Sequence, residues 1–312
     1  MTGTSGAIAV LAPASYVSVT IEPTTDDDDI HFHAGGQGLW VARALRQLGH
    51  EPVACAPIGG ESGRTLLGLV EDWGVRLQAV STVSDTPAYV HDRRSGARRE
   101  VARSGRPTLR RHELDELYSR FLAVAIDAGR CVVTGPEHIN TPVPDLYRRL
   151  GRDLHASGTP VVADLHGRAL DAFLDGGPIT LLKVAAADLV ADGRLDEGGH
   201  EQAPAVDRVA DGLVERGVGH VVVSRGAAPM LTTTGSCRYR VGGPELDPVD
   251  THGSGDTMTA ALASGLMLGL ETPDLLARAW AAGAASVTRH GLGSADAQLI
   301  DQLAKLADPQ RR

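Results

Sequence analysis

Asp250-Thr251-His252-Gly253-Ser254-Gly255-Asp256 runs straight into Thr257-Met258-Thr259-Ala260-Ala261-Leu262-Ala263-Ser264-Gly265-Leu266, and the reading of the chain turns on this stretch. Two glycines and a serine make a tight turn, a carboxylate follows, and the run of small apolar residues predicts a buried helix. Backbone N–H groups of the turn and the positive end of that helix form a place for a phosphate or a developing negative charge. Asp256 stands beside that charge, where a carboxylate takes a proton from an attacking hydroxyl. The combination points to phosphoryl transfer to an alcohol. Gly-x-Gly-Asp before a helix also reads as a plain turn with an N-cap, so the rest of the chain must decide.

Working outward, short apolar runs alternate with helical patterns. Ala7 to Leu11 predicts a buried strand, and Tyr16 to Glu22 a half-exposed one rich in β-branched residues. Asp26 to Asp29 is an acidic run and reads as a solvated loop. Gly35-Gly36-Gln37-Gly38 opens a helical pattern through Val41, Ala42, Leu45 and Leu48 that closes at Gly49. Val53 to Ile58 predicts a strand, Gly63 to Trp73 a helix, and Pro87 to Val101 a charged hairpin turning at Ser95-Gly96. Helices over 112–128, 143–156 and 204–216 then alternate with strands at Cys131 to Val133, Pro160 to Asp164, Ile179 to Lys183 and His220 to Ser224. Continuous apolar strands between helices indicate a parallel sheet covered on both faces. The expected architecture is a single α/β domain over 1–312, a mainly parallel sheet flanked by helices. A small β-lid is expected from about 14–34 and 85–106.

Composition narrows the classes. With 312 residues, 42% hydrophobic and 22% charged, the chain has the make-up of a globular domain. Aromatics are only 4%, so the core must rest on Ala, Val and Leu. A net charge of −9 argues against a nucleic-acid surface, although backbone donors still bind phosphate locally. Cys55, Cys131 and Cys237 form no CxxC pair, which disfavours a zinc site or disulfide framework and fits a reducing cytoplasm. No apolar stretch approaches the roughly 18 residues of a membrane span, and no basic region precedes the first apolar run as in a signal peptide.

Four separated elements line up with the turn. They are Gly35-Gly36-Gln37-Gly38 with Val41-Ala42-Arg43-Ala44-Leu45, then Lys183-Val184-Ala185-Ala186-Ala187-Asp188-Leu189, then Ser224-Arg225-Gly226-Ala227, and Asp250 to Asp256. In this order and spacing the chain resembles the ribokinase-like PfkB carbohydrate kinases, closest to the 1-phosphofructokinase and tagatose-6-phosphate kinase branch. The resemblance runs from about residue 7 to about residue 295. It implies a β-lid over the sugar site, ATP and Mg2+ as cofactors, and transfer of the γ-phosphate to a sugar or sugar-phosphate hydroxyl. It implies Asp256 as base and Gly253, Ser254 and Gly255 as anion hole, donors aimed at the transferring group being the main resource of this chemistry. It assigns Lys183, Ser224, Gly226, Thr251 and Gly283 to the ATP side, the last within a late small-residue helix, Ala279 to Val287. Asp188 would support magnesium through water. Tyr16, Gly35, Gly36, Gln37, Trp40 and Arg103 fall to the acceptor side. A homodimer through the lid is carried over in the same way.

The departures cluster on the acceptor side. Where the family has Asn-Pro-x-Leu-Asp, this chain has Ala12-Pro13-Ala14-Ser15-Tyr16, a phenol for a sugar-binding carboxylate. Gly-Gly-Lys-Gly-x-Asn has become Gly35-Gly36-Gln37-Gly38-Leu39-Trp40, and Ser-Gly-Ser has become Thr134-Gly135-Pro136. Sugar hydroxyls bury badly without partners. Arg93, Arg94, Arg98, Arg99, Arg103 and Arg106 either restore phosphate contacts from the lid or are solvated charges. Tyr16 and Trp40 are expected to stack on a flatter acceptor such as a nucleoside or aromatic alcohol. On the nucleotide side Asn-x-x-Glu is reduced to Ala185-Ala186-Ala187-Asp188. Three readings stay open here: a kinase for a sugar, sugar phosphate or related small alcohol, a nucleoside kinase of the same fold, and a non-catalytic ligand-binding or regulatory homologue.

Overall fold

The computed structural model describes residues 6–137, 139–140, 143–199, 202–235, 237–288 and 294–312. The first half of the chain forms β1 (Ala7–Leu11), β2 (Tyr16–Pro23), β3 (Asp28–Gly35), α1 (Gln37–Gln47), β4 (Glu51–Ile58), α2 (Gly60–Glu71), β5 (Arg76–Ser81), β6 (Ala88–Asp92), β7 (Arg99–Arg103) and α3 (Arg111–Ala128). Strands and helices then alternate as β8 (Cys131–Thr134), α4 (Pro144–Ala156), β9 (Val161–Asp164), α5 (Gly167–Gly176), β10 (Leu181–Ala185), α6 (Ala186–Ala191), α7 (Ala203–Glu215) and β11 (His220–Arg225). The chain ends with β12 (Ala228–Thr234), β13 (Cys237–Gly242), α8 (Ser254–Met267), α9 (Thr272–Val287), α10 (Ala297–Ala304) and β14 (Asp308–Arg311).

The main sheet has the order β14-β13-β12-β11-β10-β9-β8-β1-β4-β5. From β11 to β5 every pairing is parallel, while β12, β13 and β14 close one edge antiparallel. That antiparallel edge is absent from the sequence expectation. Successive strand residues point to opposite faces, and the core divides accordingly. Val10, Val132, Leu181 and Val222 join the cluster under α1, α8 and α9. Leu11, Val133, Leu182 and Val223 join the cluster under α3, α4 and α5. The long apolar faces of α1 and α4 and the near-total burial of α8 follow from this two-sided arrangement. Among the described residues no helix is long and apolar enough to cross a membrane.

The second sheet has the order β3-β2-β6-β7 and stands off the first. The acidic run expected as a loop is split: Asp28 and Asp29 open β3, exposed and opposite Pro23 and Glu22 of β2. Alternation puts Tyr16, Ser18 and Thr20 on one face with His31, His33, Tyr89 and His91. Val17, Val19 and Ile21 lie on the other face with Ile30, Phe32 and Val90. At the root of that apolar face Val17 and Ala34 are buried, whereas Ile30 and Phe32 are 56% and 54% exposed further out.

Candidate active site

The crevice lies where parallel sheets place ligands, outside the carboxyl ends of the strands. Here β1 runs out toward Tyr16, β8 toward Gly135, β9 ends on Asp164, β10 carries Lys183, and β11 ends at Ser224 and Arg225. Strand β11 lies toward the antiparallel edge, and β1 is two strands from the opposite edge.

Gly253 forms the N-cap of α8 at φ 78°. A side chain there would be strained, since L residues rarely occupy the left-handed region. The reversal leaves the first-turn N–H groups of Gly255 and Asp256 without helical acceptors, as at any helix start. Ser254 donates from its hydroxyl to the Thr251 carbonyl at 2.9 Å and closes the turn. The small residue at 255 is required by packing: a Cβ there would stand 2.6 Å from Lys183 Nζ. The lysine ammonium is therefore seated directly against the turn.

Asp256, Asp164 and Lys183 are 8%, 4% and 5% exposed. Lys183 Nζ donates to Asp164 Oδ2 at 3.1 Å, and the Thr259 hydroxyl, one helical turn beyond the turn motif, donates to the same oxygen at 2.7 Å. Burial raises the pKa of Asp164, with Lys183 and Thr259 opposing. Burial, aided by the Asp164 charge and opposed by Lys183, pushes Asp256 up to about 8. Burial works against the Lys183 charge, but Asp164 and Asp256 outweigh it and keep the ammonium protonated. A carboxyl that titrates near neutrality beside an anion turn is poised to accept a proton.

The acceptor side is aromatic and already tied. The ring of Tyr16 lies over Gly35, where a Cβ would stand 2.2 Å from the ring. It meets Trp40 and Tyr89 edge to face at centroid distances of 6.0 and 4.9 Å. Burial raises its pKa, with the charges of Arg98 and Asp256 both felt at the phenol. Gly36, at φ 120°, backs onto the Ala14 carbonyl, which a Cβ would approach to 2.2 Å. Gln37 spends its side-chain oxygen on the Gly135 N–H at 2.8 Å. Trp40 is buried, and its indole N–H donates to the Ala34 carbonyl at 3.1 Å. With the ring buried, little of its surface is free for the stacking expected of it. Arg103 stands opposite Tyr89 across β6 and β7, but its side chain is 61% exposed and pairs with Glu100 at 3.5 Å. Arg98 is the arginine of this sheet whose charge reaches Tyr16.

On the other side Ser224 is the penultimate residue of β11, and Gly226 turns the chain at φ 61° into β12. Gly283 lets α9 approach the start of α8, since a Cβ there would stand 3.1 Å from Met258 Cε and 3.7 Å from the Ser254 carbonyl. Thr251 is exposed at the mouth. Asp188 sits in the first turn of α6, and its charge acts on both Lys183 and His166.

Several groups here escaped the sequence reading. Asp164 was seen only as the end of an apolar strand; a carboxylate closing Val161-Val162-Ala163 was the available signal. His166 Nδ1 lies 3.1 Å from Asp192, and its Nε2 lies 3.5 Å from Glu137. Glu137, helped by Asp192 and opposed by burial, raises His166 to about 9, so the ring is an imidazolium at neutral pH. Glu137 in turn is felt by Asp164 and Asp256. No local pattern in the sequence links residues 137, 166 and 192.

Comparisons with known proteins show the family. Residues 12–298 match the model of the pfkB family of carbohydrate kinases. The ATP-dependent 6-phosphofructokinase isozyme 2 of Mycobacterium tuberculosis is 28% identical over 284 residues, 88% of this chain and 80% of that protein. Phosphofructokinase-2 of Escherichia coli, solved in complex with potassium, superposes with a TM-score of 0.85 at 24% identity, covering 96% of this chain and 98% of that one. A protein described as a possible 1-phosphofructokinase from Thermotoga maritima superposes with a TM-score of 0.83 at 17% identity, covering 98% and 99%. The chain belongs to the pfkB family of carbohydrate kinases, phosphotransferases that act with ATP on a sugar hydroxyl.

Proposed function

We propose that this protein transfers the γ-phosphate of ATP to a hydroxyl of a sugar, a sugar phosphate or a related small alcohol, with Asp256 as the base. The observation that carries the reading is the buried Asp256 at the start of α8, raised toward neutrality beside the Gly253–Gly255 turn and the Lys183 ammonium. The acceptor hydroxyl gives its proton to Asp256 as its oxygen attacks the γ-phosphorus, the bond from that phosphorus to the β,γ-bridging oxygen breaks, and ADP leaves with the bonding pair. The turn N–H groups and Lys183 meet the charge on the transferring group. Ser224, Gly226, Thr251 and Gly283 line the ATP side. Magnesium takes phosphates, water and few carboxylates, and Asp188 in the first turn of α6 would hold it through water. Bound there through water, it would neutralise phosphate charge.

The small sheet acts as a lid in this reading. Tyr16, Gly35, Gly36 and Gln37 form the acceptor floor, and Trp40 backs it. The exposed Ile30 and Phe32 on its outer face support pairing with a second copy of the chain. Three free cysteines support a cytoplasmic setting.

The test is ADP release with ATP, magnesium and a panel of hexoses, hexose phosphates and nucleosides. Acceptor-dependent ADP release that Asp256→Asn abolishes is the expected result. If no acceptor yields ADP and Asp256→Asn leaves background ATP turnover unchanged, the proposal fails, and a binding or regulatory role takes its place.

A further inference from the structure

One side chain of the lid reaches across the crevice to the catalytic loop. Along β6 the inward-facing residues are Tyr89 and His91, and Arg93 continues the row just past the strand, its N–H still paired to the Ile21 carbonyl at 2.8 Å. Tyr89 meets Tyr16 on the acceptor floor. The charge of His252 is felt at His91. Arg93 Nη1 lies 3.3 Å from Asp250 Oδ2 and 3.7 Å from Glu22 Oε1 of β2. The inner edge of the lid therefore spans from the acceptor floor to the loop that leads into the anion turn.

Asp250 divides its two oxygens between the two bodies. Oδ2 faces Arg93. Oδ1 accepts the His252 N–H at 3.0 Å and lies 2.9 Å from His252 Nδ1. Burial acts to raise its pKa, but the His252 contacts and Arg93 outweigh it and hold the carboxyl below its usual range. The backbone is pinned as well: the Val249 and Asp250 N–H groups share the Val287 carbonyl at the end of α9, at 2.7 and 3.2 Å. Gly253 follows three residues after Asp250. The Asp250 side chain is only 7% exposed and that of Arg93 20%, so the pair is shielded from the screening that makes surface pairs weak.

We propose that Arg93 is a positioning residue for phosphoryl transfer: by pairing with Asp250 it latches the lid to the anion-turn loop, so that covering the acceptor and fixing the turn become one event. Arg93 touches neither phosphate nor acceptor in this role. It acts through Asp250 and His252 on donors that must be in place before charge develops. The latch adds a lid-side constraint to the phosphotransfer reading and rests on it for its kinetic consequences.

Two measurements on the full chain test it. Amide hydrogen exchange compares wild type with Arg93→Ala, Arg93→Lys, Asp250→Asn and the Arg93→Ala/Asp250→Asn double variant, without ligand. The latch predicts at least threefold faster exchange at Val249, Asp250, His252 and Ser254 in Arg93→Ala and in Asp250→Asn, no further gain in the double variant, and recovery in Arg93→Lys. Unchanged exchange at those amides in Arg93→Ala overturns the proposal, whether or not the melting temperature falls. Steady-state assays with the best acceptor of the panel then predict that Arg93→Ala lowers kcat at least tenfold and raises the acceptor KM. The KM for ATP should stay within threefold, and Arg93→Lys should come back to within threefold of wild type. Wild-type kcat and acceptor KM in Arg93→Ala also overturn it. Where wild type turns over no acceptor, the kinase reading fails by that result, and the exchange data alone decide the latch.

Discussion

At one end of the crevice Asp256, Asp164 and Lys183 share a buried charge network held by the main sheet and α8. At the other, Tyr16, Tyr89 and Trp40 meet edge to face at the root of a separate sheet. The first end is bound by its own charges. Asp164 needs Lys183, the ammonium needs the space that Gly255 leaves, and Asp256 draws its raised pKa from both burial and Asp164. The second end includes ring contacts and the Trp40 hydrogen bond to Ala34. Of the acceptor-side positions expected from the sequence, Tyr16 belongs to the small sheet, whereas Gln37 and Trp40 belong to α1 on the main sheet.

The largest effect that would sharpen this contrast is on activity. Asp256→Asn should lower kcat by about 10²- to 10⁴-fold, the usual worth of a placed base, with the KM for ATP nearly unchanged. In the unliganded wild type the base is ionised only as pH passes about 8. kcat/KM for the acceptor should therefore climb through that region, and the residual activity of the variant should not follow the same limb.

Next in size is Lys183→Ala. It leaves Asp164 buried with only the Thr259 hydroxyl, and breaking a buried pair from one side costs about 3–5 kcal/mol. Urea unfolding should show the loss. A cost under about 1 kcal/mol would mean that water reaches Asp164, and the contrast between the two ends would collapse.

The same network makes a stability prediction with a definite sign. Asp256 is neutral in the folded protein up to about pH 8, whereas an unfolded Asp ionises above about 4. Between those values the folded state holds the extra proton, so this group's contribution is full at low pH and is lost as pH rises through about 8. Asp256→Asn removes that loss. The variant should gain on wild type with rising pH, by no more than about 1.4 kcal/mol per pH unit, in chemical unfolding from pH 5 to 8.5.

The smallest effect belongs to the acceptor end. Trp40→Phe removes the indole donor to Ala34 and should cost about 1–3 kcal/mol in unfolding free energy. The Asp256-dependent pH limb should stay where it is. A shifted limb would show that the two ends are coupled through more than the latch.

How much of this was legible beforehand depended on whether neighbours in space were neighbours in sequence. Gly253 to Asp256 lie within one turn and one helix start, so their chemistry could be read directly, as could the apolar strands from Ala7 to Ser224. Asp164 and Lys183 meet across paired strands, and nothing local joins them. Among the six arginines of the hairpin, Arg93 reaches Asp250 and the charge of Arg98 acts on Tyr16. Both partners are remote in sequence, so strand periodicity does not single these two arginines out. Trp40 looked like a stacking platform because an aromatic beside a glycine turn says nothing of where its N–H will go. Strands β13 and β14 are hard to read because runs such as Cys237-Arg238-Tyr239-Arg240 carry charges that an antiparallel edge tolerates, whereas β12, the uncharged Ala228–Thr234, carried a readable strand signal in its Met230-Leu231 and three threonines.

The ring of Tyr16 occupies the space directly above Gly35, which has no side chain of its own. The two positions behave as plug and socket. Any lineage or designer that restores a small carboxylate at 16 also empties a ring-sized volume in the acceptor floor, and any that adds a side chain at 35 evicts the phenol. On the function proposed above, a change at either position would alter the volume of the acceptor floor, and a carboxylate at 16 would also add a charge near Asp256, whose own charge is felt at Tyr16.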